Sequence, residues 1–311
     1  MLLAIDVGNT NVVFALCADN VPSPSSAAPN PERWLGRWRL NTDPRRTADD
    51  YAASFLWLLE RSGFDRGAIH QAIIGSVVPG AVHEIRRFCE RWLKVTPLEV
   101  TTALDWGLDV LVDAPEELGA DRRLNGLAAH ELYRSEGQGL IVVDFGTATT
   151  FDVVDGQGRY RGGAIAPGVN LSIDALHHAA ARLPRVSIAR PQRAIGRNTT
   201  EAMQSGIYWG YEGLVRGITS RLAADLVAEG EVSSCRLIAT GGLAPLFAVQ
   251  RPGGAAGEGK SHLGARQGLV HQNGGCDVGG GIFDVIAPDL TLDGLRLLAQ
   301  RNEKEFVRTL P

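Results

Sequence analysis

Apolar runs short enough for strands alternate along the chain with amphipathic stretches long enough for helices, the alternation that an α/β protein produces. Residues 2–5 and 11–17 read as two strands around a turn holding Gly8 and Asn9. Residues 47–61 read as a helix, opened by the capping pair Thr47 and Asp50, stopped by Gly63, with Tyr51, Phe55, Leu58 and Leu59 on one face. A short buried strand at 72–78 ends in Pro79 and Gly80, after which Val82, Ile85, Phe88 and Trp92 recur at helical spacing. Pro115 opens a further predicted helix carrying Leu118, Leu124, Leu127, Ala128 and Leu132. Strands follow at 140–143 and 151–154, then a long helix at 199–229. A last strand at 236–239 enters the turn Thr240-Gly241-Gly242.

Two segments break the alternation. Residues 19–31, rich in Pro, Ser, Ala and Asn, and residues 250–281, rich in Gly, read as inserted, flexible surface loops. Within the second, Gly254 to Ser261 matches the phosphate-loop pattern GxxxxGK[ST] letter for letter. A working loop of that kind needs a buried strand before it and a helix after it. Neither flanks this one, so the match is ascribed to glycine-rich composition.

Composition narrows the chemistry. Among 311 residues, 31 basic and 35 acidic side chains give a net charge of −4, with no lysine-arginine block. The electrostatic footprint of a nucleic-acid or anionic-membrane partner is missing, which favours small-molecule chemistry. No run of about 18 apolar residues indicates a membrane span. The apolar N-terminus lacks a basic leader and contains Asp6, Asn9 and Asn11, so it reads as part of the fold. Cys17, Cys89, Cys235 and Cys276 have no metal or disulfide spacing, and the expected location is the cytoplasm. His177 and His178 lack a carboxylate or cysteine at ligand spacing and read as structural or exposed.

The strongest chemical signal is a repeat. Leu3-Ala4-Ile5-Asp6-Val7-Gly8-Asn9-Thr10 and Ile141-Val142-Val143-Asp144-Phe145-Gly146-Thr147 are each an apolar strand ending in Asp-x-Gly, and another apolar strand follows each. Such a turn brings backbone amides to an anion while its carboxylate holds a cation beside it. One copy alone reads equally as a plain hairpin. Two copies, one in each half of the chain, favour phosphate with its metal.

In order, the early hairpin, the central hairpin and the late Thr240-Gly241-Gly242 resemble the phosphate 1, phosphate 2 and adenosine elements of the acetate and sugar kinase, Hsp70 and actin superfamily. Between the hairpins lies Glu117-Leu118-Gly119-Ala120-Asp121-Arg122. Beyond them lie GGAIAPGVNLSIDAL at 162–176, IGRNTTEAMQSG at 195–206, ATGGLAP at 239–245 and PDLTLDGL at 288–295. With these, nearly the whole chain apart from the two insertions resembles type III pantothenate kinase.

The resemblance implies an α/β fold of two duplicated RNase H-like (actin-like ATPase) domains, 1–117 and 118–311, with ATP in the cleft between them. It implies phosphorylation of pantothenate to 4′-phosphopantothenate, the first step of coenzyme A synthesis, by a homodimer with its substrate site at the subunit interface. Carried over by motif, Asp121 is the proton acceptor, and Gly119, Ala120 and Arg122 hold pantothenate with it. Asp6, Val7, Gly8, Asn9, Thr10, Asn11, Val12 and Val13 hold the ATP phosphates, with Asp6 at the accompanying Mg²⁺. Thr147 is the second phosphate contact, Gly241 and Gly242 adjoin the nucleoside, and Asp144 takes K⁺ or NH₄⁺. Thr199 reaches substrate from the partner subunit. Where many relatives carry a substrate-contacting tyrosine, this chain has Val112. Two rival readings are another small-molecule kinase of the superfamily and a non-enzymatic ATP-binding regulator.

Overall fold

The computed structural model describes residues 1–18, 33–179, 183–230, 232–247 and 282–308. Both predicted insertions and the Gly254–Ser261 match therefore lie outside the described residues. The chain divides into two compact units, Met1–Tyr133 with Gly158–Gly162 and Asp289–Pro311, and Arg134–Gln157 with Gly163–Pro288. Residues 117 and 118, where the expected boundary falls, both lie in the first unit.

The first unit opens with β1 (Leu2–Val7), β2 (Asn11–Cys17) and β3 (Trp34–Asn41), followed by α1 (Ala48–Arg61), β4 (Gln71–Ser76), α2 (Pro79–Phe88) and β5 (Leu98–Glu99). Its sheet order is β3-β2-β1-β4-β5. β2 runs antiparallel to β1 and β3, while β4 runs parallel to β1 and β5. β1 is buried along most of its length, as a strand covered on both faces must be. Phe14 stacks on Phe55 at 4.6 Å and meets Phe88 edge-on, joining β2 to α1 and α2. The expected capping pair is present, since the Thr47 hydroxyl accepts from the Asp50 amide and Asp50 accepts from the Thr47 amide.

β6 (Asp109–Val110) precedes α3 (Ala120–Tyr133). The second unit then supplies β7 (Gln138–Phe145) and β8 (Ala148–Val154), and β9 (Arg159–Pro167) begins in the first unit and ends in the second. α4 (Val169–Ala179), α5 (Thr199–Ala228), β10 (Ser234–Thr240), α6 (Ala244–Phe247) and β11 (Val285–Ile286) follow. The second sheet has six strands in the order β6-β9-β8-β7-β10-β11, with β6 parallel to β9 at its edge, and its run β9-β8-β7-β10-β11 repeats the order of the first sheet, again with an antiparallel hairpin beside parallel neighbours. The RNase H-like plan is thus built twice. α7 (Leu290–Arg301) and α8 (Glu303–Arg308) return the chain to the first unit, where α7 packs on α3. Gly294 makes that packing close, because a Cβ there would lie 2.4 Å from the Leu124 carbonyl oxygen.

One predicted helix is corrected. Pro115 opens only a single 3₁₀ turn, Pro115–Glu117, and Leu118 is extended at φ −69°, ψ 116°. The poor helix former Gly119 follows, and α3 starts afresh at Ala120. The predicted helix reaching Trp92 also changes character, passing from α2 into one wide π turn, Cys89–Leu93, closed by Lys94 in the left-handed conformation.

Candidate active site

The first hairpin is a tight turn fastened from outside. Asp6 faces Val13 and Val7 faces Val12 across the strands, and the Gly8 amide donates to the Asn11 carbonyl at 3.0 Å. Thr42, just beyond β3, donates its hydroxyl to the Gly8 carbonyl at 2.6 Å and its amide to the Thr10 carbonyl at 3.0 Å. Asn9 and Thr10 are exposed and Asp6 is half-buried. Val7 and Val12 are fully buried.

In the second unit, Gly146 donates to the Ala148 carbonyl at 3.1 Å, closing the turn that exposes Thr147. Thr240 pairs with Asp144 in the β10/β7 register, which carries Gly241 across the Asp144 carboxylate. Gly241 has φ +87°, and a Cβ there would lie 2.5 Å from Asp144 Oδ1 and 2.7 Å from the Phe145 carbonyl oxygen. Gly242 has nothing within 4 Å of such an atom among the described residues. Gly168 closes on the same turn, its would-be Cβ only 2.0 Å from the Thr147 carbonyl oxygen. Gly168 and Gly241 therefore pack directly on the turn that carries Asp144 and Thr147.

The Asp121 element belongs to the first unit. The renewed helix start puts Asp121 in the first turn of α3, where free amides and the helix dipole favour a carboxylate. Its Oδ1 accepts from the Arg122 amide at 2.8 Å and lies 2.7 Å from the position of a Cβ on Gly119. Its other oxygen makes no hydrogen bond among the described residues. Leu124, one helical turn on, reaches Gly75 of β4, the register partner of Asp6 in β1. The first turn of α3 is thereby set within one turn of the level that carries Asp6.

Behind Asp121, the Arg123 guanidinium lies 4.2 Å from the centre of the Trp106 ring, and burial lowers its pKa below the ordinary arginine value. Asp105 exchanges two hydrogen bonds with Asn302, fixing the loop that carries Trp106. Neither Arg123 nor Trp106 stands out in the sequence, where an Asp-Arg-Arg run reads as solvated charge. Val112 sits against Gly162, 3.6 Å from its would-be Cβ, and Leu111 donates to the Tyr160 carbonyl at 2.8 Å.

Thr199 stands exposed at the first position of α5. Asn198 caps that helix, accepting from the Glu201 amide, and Glu201 accepts from the Arg197 amide, Arg193 and Asn198. The backbone bond from Arg197, first among these, draws the Glu201 carboxyl below its usual range. His177 is held by the Leu183 carbonyl at 2.7 Å. Among the described residues no three His, Cys, Asp or Glu side chains cluster as a metal cage. The oxygen donors at Asp6 and around Asp144 suit hard cations that bring phosphate or water as their other ligands.

Comparison with known proteins shows the family of the chain. The family described as type III pantothenate kinase matches residues 2–221. A Gluconobacter oxydans protein of that name is 55% identical over 302 residues, covering 97% of this chain and 94% of its own. Its namesake from Acidiphilium cryptum is 48% identical over 308 residues, covering 99% and 97%. A third, from Zymomonas mobilis, is 43% identical over 304 residues, covering 97% and 93%.

Proposed function

The chain belongs to the type III pantothenate kinase family, and from that premise we infer that it transfers the γ-phosphate of ATP to pantothenate, opening coenzyme A synthesis. The observation that carries the residue assignment is the half-anchored carboxylate of Asp121. One oxygen is pinned by the Arg122 amide, and the other is left for the pantothenate hydroxyl.

Phosphoryl transfer passes through a loose transition state, so positioning and charge neutralisation supply most of the rate, and a weak base suffices. In this reading Asp121 orients the hydroxyl and takes its proton as the new P–O bond forms. Gly119, Ala120 and Arg122 hold the acceptor. The turn Asp6–Val13 lays its amides along the ATP phosphates, with Thr147 as a further contact and Gly241 and Gly242 beside the nucleoside. Asp6 is assigned to Mg²⁺ accompanying ATP and Asp144 to K⁺ or NH₄⁺, which when bound would neutralise phosphate charge. Thr199 is assigned to the substrate site of a partner subunit in a homodimer. The enzyme is placed in the cytoplasm, and no described helix is long and apolar enough to cross a membrane.

The test is ATP-dependent phosphorylation of pantothenate by the purified protein with Mg²⁺, comparing potassium or ammonium with sodium. Potassium-dependent product that disappears with Asp121→Asn supports the assignment. A sugar preferred over pantothenate would refute the acceptor, and bound ATP without turnover would favour a regulatory role.

A further inference from the structure

The turn between β3 and α1 holds two adjacent arginines in opposite situations. Arg45 is exposed and ties Asp43 through two hydrogen bonds of 3.1 Å. Arg46 turns inward, its guanidinium carbon 5.8 Å from the centre of the Tyr51 ring. Its Nη1 is buried with no hydrogen-bond partner among the described residues, and the hydroxyl of fully buried Tyr51 is in the same condition. Buried donors without acceptors are costly, and a fold keeps them where an acceptor arrives from outside.

The placement of this turn indicates which acceptor. Asn41, the last residue of β3, pairs with Asn11, the first of β2, so the turn leaves the sheet at the end where the Gly8 hairpin stands. Thr42 then bonds that hairpin twice, at Gly8 and at Thr10. The Arg46 amide donates to the Asp43 carbonyl at 3.0 Å, folding the turn back before α1 begins. Tyr51, packed 6.3 Å from Phe14 of β2, supplies a rigid floor beneath the guanidinium. A cation held in this way, on a segment fastened to an anion-binding turn, needs little reordering to meet an anion there.

We propose that Arg46 is a phosphate-binding residue of the nucleotide site, donating from its guanidinium to the phosphate chain of ATP seated on the Gly8 hairpin. The proposal rests on the reading of that hairpin as the phosphate site. Tyr51 acts through Arg46 as a positioning residue.

The experiment compares Arg46→Met, which keeps a long stem over Tyr51 without charge, with Arg46→Lys, which restores charge. Affinity for the non-hydrolysable analogue AMPPNP with Mg²⁺ is measured by calorimetry beside thermal midpoints, and Asp6→Asn serves as the control for the hairpin. The expected result for Arg46→Met is a loss of about tenfold or more in AMPPNP affinity, the scale of a charge-assisted hydrogen bond. KM for ATP should rise in parallel while KM for pantothenate stays within about twofold, and Arg46→Lys should recover most of the affinity. Unchanged AMPPNP affinity in Arg46→Met would overturn the proposal, as would equal losses in both variants accompanied by a fall in thermal midpoint. If the unaltered chain fails to bind AMPPNP, or Asp6→Asn binds it normally, the hairpin reading itself fails and takes this proposal with it.

Discussion

Gly241 and Gly242 are chemically identical neighbours that the structure treats oppositely, so paired alanine substitutions test the site's geometry. At Gly241 an alanine meets two costs. Its φ of +87° is left-handed backbone, worth about 1–2 kcal/mol against an L residue. Its Cβ would also lie 2.5 Å from Asp144 Oδ1 and 2.7 Å from the Phe145 carbonyl oxygen. The carboxylate can swing aside, but the carbonyl belongs to β7 and moves only with the strand, a strain of roughly 1–3 kcal/mol. Together these predict about 2–5 kcal/mol of destabilisation for Gly241→Ala, read by urea unfolding at constant m. Displacing Asp144 should also weaken the response of turnover to potassium. At Gly242 a Cβ enters open space, so Gly242→Ala should stay within about 0.5 kcal/mol of the unaltered chain. It should instead raise KM for ATP if the nucleoside lies there. A loss below about 1 kcal/mol at Gly241, or equal losses at both positions, would refute the close packing of the Thr240-Gly241 turn on Asp144.

Further outcomes follow from other parts of the chain. Asp121→Asn should keep ATP affinity while lowering kcat by about 10²-fold or more, checked by steady-state kinetics beside calorimetry. Asp293 is 6% exposed, pairs with buried Arg33 at 2.9 Å and accepts from Trp34 at 3.2 Å. Asp293→Ala should therefore cost about 3–5 kcal/mol in denaturant unfolding, because it strands buried guanidinium charge. Asn198→Ala removes the cap of α5 and should cost about 1 kcal/mol by the same assay, with little change in KM for ATP. Burial pushes the Cys235 thiol up to about 11 and raises that of Cys89 further. Alkylation followed by peptide mass spectrometry should find Cys235 slow at pH 8 and faster toward pH 11, and Cys89 unreactive until the chain unfolds.

Which features were legible in the sequence depended on how local their causes are. The two Asp-x-Gly hairpins and the Thr47–Asp50 cap could be read because a turn or a cap is set by a few adjacent residues, and the structure forms all three. β3 escaped notice because its alternation is hidden by Gly36, over which the Trp38 indole folds, leaving a would-be Cβ 2.4 Å from that ring. β9 looked unlike a strand because it contains Gly162 and Gly163. Yet Gly163 is required where a Cβ would come within 1.7 Å of the Phe151 carbonyl oxygen. α7 has no polar stripe to reveal its period, since Asp293 and Arg296 are as buried as its leucines. The same distinction runs through the site. Asp121 was proposed through its motif, whereas the placement of Arg46 over Tyr51 and of Arg123 over Trp106 depends on rings distant in sequence or on a neighbouring turn. A charge that looks solvated in one dimension becomes a candidate for chemistry only when the fold supplies a floor beneath it and, among the described residues, no acceptor, as at Arg46 Nη1. Substitutions that remove its charge while keeping its stem therefore discriminate between packing and function, where truncation to alanine would disturb both.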